Sequence, residues 1–203
     1  VDNDEKNITQ LPDLKPYSAI GIGPGLDKAK TTQQILKNLI TQSNVPLVLD
    51  ADALNILGEN KSWIKNLPEN TILTPHPREF ERIFGKSLSS YQRHLNQIEI
   101  SKKYNLIIVL KGAHTSISFP DGSCYFNSTG NPGMATGGSG DVLTGIILSF
   151  LAQGYVPKEA ALLGVFVHGL AGDEALSDNS PESLIAGDII RCLGKAFAEI
   201  QKK

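Results

Sequence analysis

The sequence has few of the features that mark secreted, membrane-spanning or nucleic-acid-binding proteins. Its 203 residues include two cysteines, Cys124 and Cys192, which lie far apart and in no metal-binding spacing. A disulfide framework is therefore not expected, and a reducing compartment, the cytoplasm, suits the composition. No apolar run is long enough to cross a bilayer, so no membrane contact is expected. The net charge is −2 with both signs interspersed, which disfavours a nucleic-acid partner and favours a small molecule.

The N-terminal region lacks an initiating methionine and the charged and apolar segments of a signal peptide. Residues 1–16 are polar and include Pro12 and Pro16, a composition typical of a linker. We therefore expect residues 1–16 to lead into a single domain over residues 17–203. The missing methionine predicts that the chain is a fragment or a processed product.

Short apolar runs alternate with helical patterns in the first half of this domain. The runs lie at residues 19–22, 46–50, 71–74 and 106–110. Residues 31–40 have apolar side chains at helical spacing. Strands that are apolar throughout and separated by helices are typical of a parallel sheet covered on both faces.

The pattern changes after residue 115. The segments 115–119 and 124–126 flank Pro120-Asp121-Gly122, a turn signal that predicts a hairpin at the edge of the sheet. From residue 139 onward only helical patterns follow, at 140–152, 158–176 and 185–200. The predicted fold class is α/β, with a doubly wound, mostly parallel sheet, an antiparallel edge hairpin and a helical C-terminal side.

Glycine and polar residues follow four of the predicted strands. They lie at residues 23–25, 50–52, 74–77 and 111–114. Because ligands of open parallel sheets bind outside the carboxyl ends of the strands, we expect the functional site there. His168 and Asp173 instead lie within a predicted helix and are expected to be structural.

The most informative segment is a glycine-rich loop that runs directly into a predicted helix at residue 139. The residues expected to form an anion hole are Gly137, Gly138, Ser139 and Gly140. Their backbone N–H groups and the positive end of the helix dipole favour a bound phosphate. Asp141 follows in the first turn, where a base suits the attack of a hydroxyl group on that phosphate. In the alternative interpretation, Ser139 is only the N-cap and Asp141 complements the dipole. The loop is not a Walker A motif, because no Gly-Lys-Ser/Thr ends it.

Other polar residues at the strand ends each allow two interpretations. Lys111 either contacts a nucleotide or lies solvated in a turn. His76 is either a site residue or an ordinary loop histidine, and it has no second ligand at zinc spacing. Asp50 and Asp52 either contact sugar hydroxyls or metal-bound water, or Asp52 caps a helix over residues 53–57.

Residues 131–145 resemble the signature segment of the bacterial NAD(P)H-hydrate dehydratases. The segment reads Asn131-Pro132-Gly133-Met134-Ala135-Thr136-Gly137-Gly138-Ser139-Gly140-Asp141-Val142-Leu143-Thr144-Gly145. The segments 49–54, 73–80 and 109–115 resemble the family's other motifs, and all four occur in the family's order. Related sugar and vitamin kinases share only the Gly-x-Gly-Asp core, which is residues 138–141 here.

The resemblance implies a ribokinase-like fold and a lyase that repairs NADH or NADPH hydrated at C6. Enzymes of this family use ADP or ATP, with Mg²⁺, to phosphorylate the hydroxyl group and then eliminate phosphate. The family's substrate contacts correspond to Gly25, His76 and Asp141. Its nucleotide contacts correspond to Lys111, Gly112, Ala113, His114, Thr115 and Gly140.

The resemblance also implies a metal partner and an oligomer. Residues 76–79 are similar to the Asn-x-x-Glu motif of ribokinase-like kinases, with His76 in place of Asn. This difference favours Glu79 as the magnesium partner, acting through water. The family's tendency to form tetramers implies a homo-oligomer.

The sequence departs from the family before residue 17. The family's usual glycine-rich strand and helix do not precede the 23–25 segment, and the N-terminal epimerase domain of many bacterial relatives is absent. We therefore expect an N-terminally truncated domain with apolar surface uncovered on its sheet. Two alternatives stay open: a hydroxymethylpyrimidine or pyridoxal kinase of the same superfamily, and a catalytically silent nucleotide-binding fragment.

Overall fold

The computed structural model describes residue 8 and residues 10–202. The strands of this part are β1 (Ile20–Ile22), β2 (Leu47–Leu49), β3 (Ile72–Leu73), β4 (Ile107–Leu110), β5 (Ser116–Ser118) and β6 (Cys124–Phe126). Its α-helices are α1 (Lys30–Gln42), α2 (Ala51–Glu59), α3 (Pro77–Phe84), α4 (Ser90–Tyr104), α5 (Ser139–Ala152), α6 (Pro157–Ala175) and α7 (Ala186–Gln201). Two 3-10 helices lie at Lys61–Asn66 and Pro132–Met134.

The strands form one sheet in the order β1-β2-β3-β4-β5-β6. β1 to β4 are parallel, whereas β5 and β6 are antiparallel and form the predicted edge hairpin. Val48 pairs with Ile72, and Ile72 pairs with Ile107, so that apolar side chains of one face form a row across the sheet. The predicted sheet, mostly parallel with an antiparallel edge, is confirmed.

Each face of the sheet packs against its own layer of helices, because side chains of a strand alternate between faces. Leu47 and Leu49 belong to the core formed with α1, α2 and α3. Val48, between them, belongs to the core formed with α5, α6 and α7. Right-handed crossovers between sequential parallel strands put the connecting helices on one face. The C-terminal helices therefore cover the other face.

The helices predicted at residues 31–40, 140–152, 158–176 and 185–200 agree with α1, α5, α6 and α7 within two residues at each end. The longest helix without a predicted counterpart lies directly before β4. That helix is α4, whose buried residues are Gln97 and Ser101 rather than a stripe of apolar residues. The amide of Gln97 donates to the carbonyl oxygens of Ile108 and Ser116, and the hydroxyl of Ser101 lies 2.6 Å from that of Ser118. Hydrogen bonds to the sheet thus replace the apolar contacts that a helical pattern would reveal.

The described part of the predicted linker contacts the domain. Leu11 and Leu14 are partly buried against the core under α1 and α2. Residues 1–7 and 9, which complete the predicted linker, lie outside the described residues. Among residues 8 and 10–202, none of the helices combines the length and the apolar character needed to span a membrane.

Candidate functional site at the carboxyl ends of the strands

The segments that follow β1 to β4 meet at one edge of the sheet. The Asp50 N–H donates to the carbonyl oxygen of Ile22 over 3.1 Å, and the Lys111 N–H donates to that of Pro75 over 2.8 Å. These bonds extend the parallel pairing beyond the strands, so the four segments predicted to form the site lie side by side. That these strand ends carry the functional site stays a prediction.

The turn after β1 depends on two glycines for different reasons. Gly23 has a φ of 141°, and a Cβ on it would lie 1.8 Å from the carbonyl oxygen of Asp50. Only glycine therefore allows this turn to approach the segment after β2. Gly25 has a φ of 63° with open space around it, so its requirement is conformational. The exposed Gly25 leaves room for a ligand at the edge of the site.

Asp50 lies at the centre of the strand ends, with its side chain 1% exposed. Its Oδ1 accepts a hydrogen bond from Nζ of Lys111 over 2.7 Å. Its Oδ2 accepts one from the hydroxyl of Thr144 in α5 over 2.8 Å. Both oxygens thus have partners within the protein, and no accessible oxygen remains for the sugar or metal-water contact considered from the sequence.

Asp52 holds a neighbouring loop and does not cap a helix. α2 begins at Ala51, two residues before the start predicted from the sequence. Asp52 therefore lies in the first turn of α2. The carboxylate accepts hydrogen bonds from the Asp27 N–H over 3.0 Å and from the Asn55 side chain over 3.2 Å. Asp52 therefore fixes the segment between β1 and α1 against α2.

His76 and Glu79 form a reciprocal cap at the start of α3. Nδ1 of His76 accepts from the N–H groups of Arg78 and Glu79 over 3.1 and 3.3 Å. Oε2 of Glu79 accepts from the His76 N–H over 2.8 Å. Because Nδ1 accepts, the ring proton of neutral His76 is on Nε2, which lies 3.6 Å from Oε1 of Glu79 on a side chain that is 48% exposed. His76 is thus more than a loop histidine, since it caps a helix and still presents a donor.

The glycine-rich loop is anchored to α6 through Asp173. Its carboxylate accepts from the Gly130 N–H over 2.8 Å and from the Asn131 amide over 3.1 Å. Asn131 in turn caps the 3-10 helix Pro132–Met134. The predicted structural role of Asp173 is confirmed by these contacts.

The loop enters α5 through Gly138, which is the N-cap with a φ of 83°. Ser139 is therefore not the N-cap of the alternative interpretation. Its N–H donates to the carbonyl oxygen of Thr136 over 3.4 Å, which turns it away from an anion. The first intrahelical bond runs from Val142 to Gly138, so the N–H groups of residues 140 and 141 precede it and point out of the helix start.

Gly140 and Asp141 form the open part of the helix start. A Cβ on Gly140 would lie 3.2 Å from Nζ of Lys111 and 3.7 Å from Oδ2 of Asp50. The side chain of Asp141 is exposed in the same turn. The Lys111 ammonium and two first-turn N–H groups therefore lie at the start of α5, and the exposed Asp141 carboxylate belongs to the same turn; anion donors and a base are the groups that phosphoryl transfer to a hydroxyl requires.

Behind this helix start lies His168 of α6. Its Nε2 is 3.3 Å from the hydroxyl of Ser139, whose side chain is buried. Burial lowers the pKa of His168 to about 4, while a hydrogen bond to the Ser139 backbone opposes this shift and the charge of Lys111 adds to it. His168 is therefore neutral at neutral pH. Its structural role is to hold Ser139, at the end of the glycine-rich loop, against α6.

The segment from Lys111 to Thr115 forms a closed turn between β4 and β5. The hydroxyl of Thr115 donates to the carbonyl oxygen of Gly112 over 3.2 Å. Gly112, Ala113 and His114, which follow Lys111 directly, are exposed. Lys111 itself is 22% exposed and paired with Asp50, so it is not the solvated turn lysine of the alternative interpretation.

An apolar groove of about 480 Å³ begins beside Asp141 and runs between α5 and α7. Ile146, Phe150, Leu193 and Phe197 are among the residues that line it. Among residues 8 and 10–202, no group of three or more His, Cys, Asp or Glu side chains is placed to hold a metal ion.

Thr144 and the pairing of Asp50 were not recognised from the sequence. Thr144 is four residues after Gly140 and therefore on the same helical face, one turn further on. That spacing is the signal in the sequence, but it identifies a partner only once the position of Asp50 is known.

The fold and the site define a ribokinase-like protein. A solved ribokinase-like superfamily protein from Enterococcus faecalis superposes with a TM-score of 0.79 at 34% identity, covering 90% of this chain and 63% of that one. The α/β class predicted from the sequence and its ribokinase-like character are confirmed.

More specifically, the chain belongs to the NAD(P)H-hydrate dehydratase family, which matches residues 1–194. A solved relative is the Bacillus subtilis ADP/ATP-dependent NAD(P)H-hydrate dehydratase, co-crystallised with ATP and Mg²⁺, which is 36% identical to this chain with a TM-score of 0.78. The matched region covers 90% of this chain and 64% of the Bacillus subtilis chain. The bifunctional NAD(P)H-hydrate repair enzyme of Moorella thermoacetica is 41% identical over 197 residues, 95% of this chain and 37% of that protein. This chain thus spans less than two thirds of these relatives.

Proposed function

We propose that the protein carrying this chain dehydrates hydrated NADH or NADPH at the expense of ADP or ATP. The C6 hydroxyl gives up its proton and its oxygen attacks the terminal phosphorus, while the bond to the nucleotide leaving oxygen breaks. Phosphate then leaves C6 as a proton leaves C5, which restores the C5–C6 double bond of the dihydronicotinamide. The observation that carries this proposal is the start of α5, where the Lys111 ammonium lies beside Gly140 and the exposed Asp141 carboxylate belongs to the same turn. Membership of the dehydratase family supports the choice of substrate.

Asp141 is the catalytic base of this proposal. Its exposed carboxylate lies in the first turn of α5, beside the N–H groups that would hold the transferred phosphate. A positioned base that takes the proton of the attacking hydroxyl contributes roughly 10²–10⁴ in rate. A carboxylate in the first turn of α5 also complements the helix dipole, so the dipole-complementing role and the catalytic role are compatible.

The nucleotide is proposed to lie between two segments. Lys111, Gly112, Ala113, His114 and Thr115 form one side, and the loop Gly137, Gly138, Ser139 and Gly140 forms the other. Within the loop, the open N–H of Gly140 is the main phosphate donor, because the Ser139 N–H is turned towards Thr136. Lys111 supplies the positive charge that attracts the phosphates.

The hydrated nicotinamide is proposed to lie across Gly25 and His76. The exposed Nε2–H of His76 can donate to a substrate oxygen while Nδ1 keeps its capping bonds. Magnesium would be bound chiefly by the nucleotide phosphates and would neutralise their charge. Glu79 would contact the metal through water at Oε1, which lies 3.6 Å from Nε2 of His76, since Oε2 accepts the capping bond from the His76 N–H.

The oligomer and the location belong to the same proposal. A homotetramer is supported by the family resemblance alone. The cytoplasm is supported by the cysteines: Cys124 and Cys192 both carry free thiols.

The fate of the phosphate tests this function against the kinase alternative. The protein is incubated with labelled ATP or ADP and either hydrated NADH, hydroxymethylpyrimidine or pyridoxal. We expect inorganic phosphate to be released only with the hydrate. Stable phosphorylation of either vitamin precursor, without phosphate release from the hydrate, would instead identify a small-molecule kinase.

A further inference from the structure

The carboxylate of Asp50 joins three separate elements of the site. It extends from the end of β2, receives the ammonium of Lys111 from the end of β4, and receives the hydroxyl of Thr144 from the second turn of α5. The two bonds are 2.7 and 2.8 Å long, one to each oxygen. Asp50 is therefore fixed on both sides in a pocket that leaves it 1% exposed.

Stability alone does not account for this arrangement. A buried ion pair loses hydration when it forms and often adds little to folding compared with apolar residues of similar size. Asp50 is also the residue before α2, but its side chain makes no capping bond there. The carboxylate is thus directed away from its own helix and towards the ammonium.

The ammonium of Lys111 has donors to spare. It carries three N–H groups, and in the described part of the chain Asp50 is its one hydrogen-bonding partner. The side chain is 22% exposed, and Nζ lies 3.2 Å from the position of a Cβ on Gly140. An anion at the start of α5 would therefore meet the remaining donors of an ammonium that Asp50 already holds in place.

We propose that Asp50 is a positioning residue, which holds the Lys111 ammonium against the helix start where the nucleotide phosphate binds and ties it to α5 through Thr144. The proposal rests on the nucleotide-binding role given to Lys111 above. Asp50 itself does not touch the nucleotide. A free lysine side chain samples many rotamers, and an ammonium fixed in advance binds phosphate without that loss of freedom.

Loss of the anchor should weaken nucleotide binding through Lys111. Asp50→Asn is expected to raise the Kd for ADP and ATP, and the nucleotide KM, by about 10- to 100-fold, by analogy with the loss of a hydrogen-bonding partner behind a metal-liganding side chain. The KM for the hydrate should stay unchanged. Thr144→Val should give a smaller effect in the same direction, and Thr144→Ser, which keeps the hydroxyl, should restore binding.

A double-mutant cycle separates positioning from a purely structural role. Nucleotide Kd is measured by calorimetry for wild type, Asp50→Asn, Lys111→Met and the double variant, each verified as folded by its thermal melt. If Asp50 acts through Lys111, Asp50→Asn will have no further effect on Kd in the Lys111→Met background. Additive effects of the two changes would overturn the proposal, as would an unchanged Kd in Asp50→Asn.

Two further results keep the test decisive. If Asp50→Asn does not fold, Thr144→Val replaces it in the same cycle. This change removes the hydrogen bond that ties Asp50 to α5, but it does not leave the Lys111 ammonium without its partner. Nucleotide binding without dehydration of the hydrate would contradict the proposed function, whereas the cycle would still decide the role of Asp50. Dehydration with an additive cycle would contradict the role of Asp50 alone.

Discussion

The hydroxyl of Ser139 lies 3.3 Å from Nε2 of His168, which joins the start of α5 to the middle of α6. His168 is largely buried there, and burial lowers its pKa to about 4. In the unfolded chain a histidine has a pKa near 6.5. The unfolded state therefore binds a proton between these values, and the folded state does not.

This difference predicts that acid destabilises the fold through His168. The free energy of unfolding should fall as the pH drops from about 6.5 to about 4, by at most about 3.5 kcal/mol at about 1.4 kcal/mol per pKa unit. His168→Gln should remove that part of the pH dependence, as measured by urea denaturation at pH 7 and pH 5. His114→Gln, which changes an exposed histidine, is the control. Equal pH dependence in wild type and His168→Gln would contradict the account.

Asp141→Asn should abolish most of the turnover and leave nucleotide binding intact. The carboxamide keeps the size of the side chain and cannot accept the substrate proton, so kcat should fall by roughly 10²–10⁴. Glu159→Gln, in the first turn of α6, is the matched control for loss of an acidic side chain at a helix start. Turnover that is unchanged in Asp141→Asn would show that another group is the base.

Two glycines of α5 provide a matched pair. A Cβ on Gly140 would lie 3.2 Å from Nζ of Lys111, whereas one on Gly145 would have no atom within 4 Å. Gly140→Ala should therefore displace the ammonium and weaken ADP binding by about tenfold or more, which is about 1.4 kcal/mol. Gly145→Ala should not change it. Equal Kd values for both variants in a nucleotide titration would argue against phosphate binding at Gly140.

His76 is predicted to have two separable roles. His76→Asn should keep the cap of α3, because asparagine is a good N-cap residue, but should remove the Nε2 donor. We expect unchanged stability with a raised KM for the hydrate. His76→Ala should also lower the free energy of unfolding by about 1 kcal/mol. A hydrate KM that rises only in the alanine variant would assign His76 to the cap alone.

Most of the fold could be predicted from the sequence because its strands are continuously apolar and its turns carry glycine and proline. The hairpin at Pro120–Gly122 and the C-terminal helices follow from such local signals. α4 could not be predicted in this way, because it buries Gln97 and Ser101, which look like surface residues until their partners in β4 and β5 are known.

The site was predictable in place but not in its internal contacts. The strand-end rule locates Asp50 and Lys111 correctly, since it depends only on the order of strands. The pairing of Asp50 with Thr144 spans 94 positions and depends on how α5 packs across the sheet. The N-cap at Gly138 instead of Ser139 likewise depends on a backbone conformation that the residue types allow but do not specify.

The most direct test of the central claim is the restoration of NADH from its hydrate. The protein is mixed with hydrated NADH and Mg²⁺, with ADP or ATP or without nucleotide, and the near-ultraviolet absorbance band of NADH is followed. The account predicts recovery of the band only when nucleotide is present, with one phosphate released for each NADH formed, and loss of the recovery in Asp141→Asn. Recovery without nucleotide, or none with either nucleotide, would contradict it.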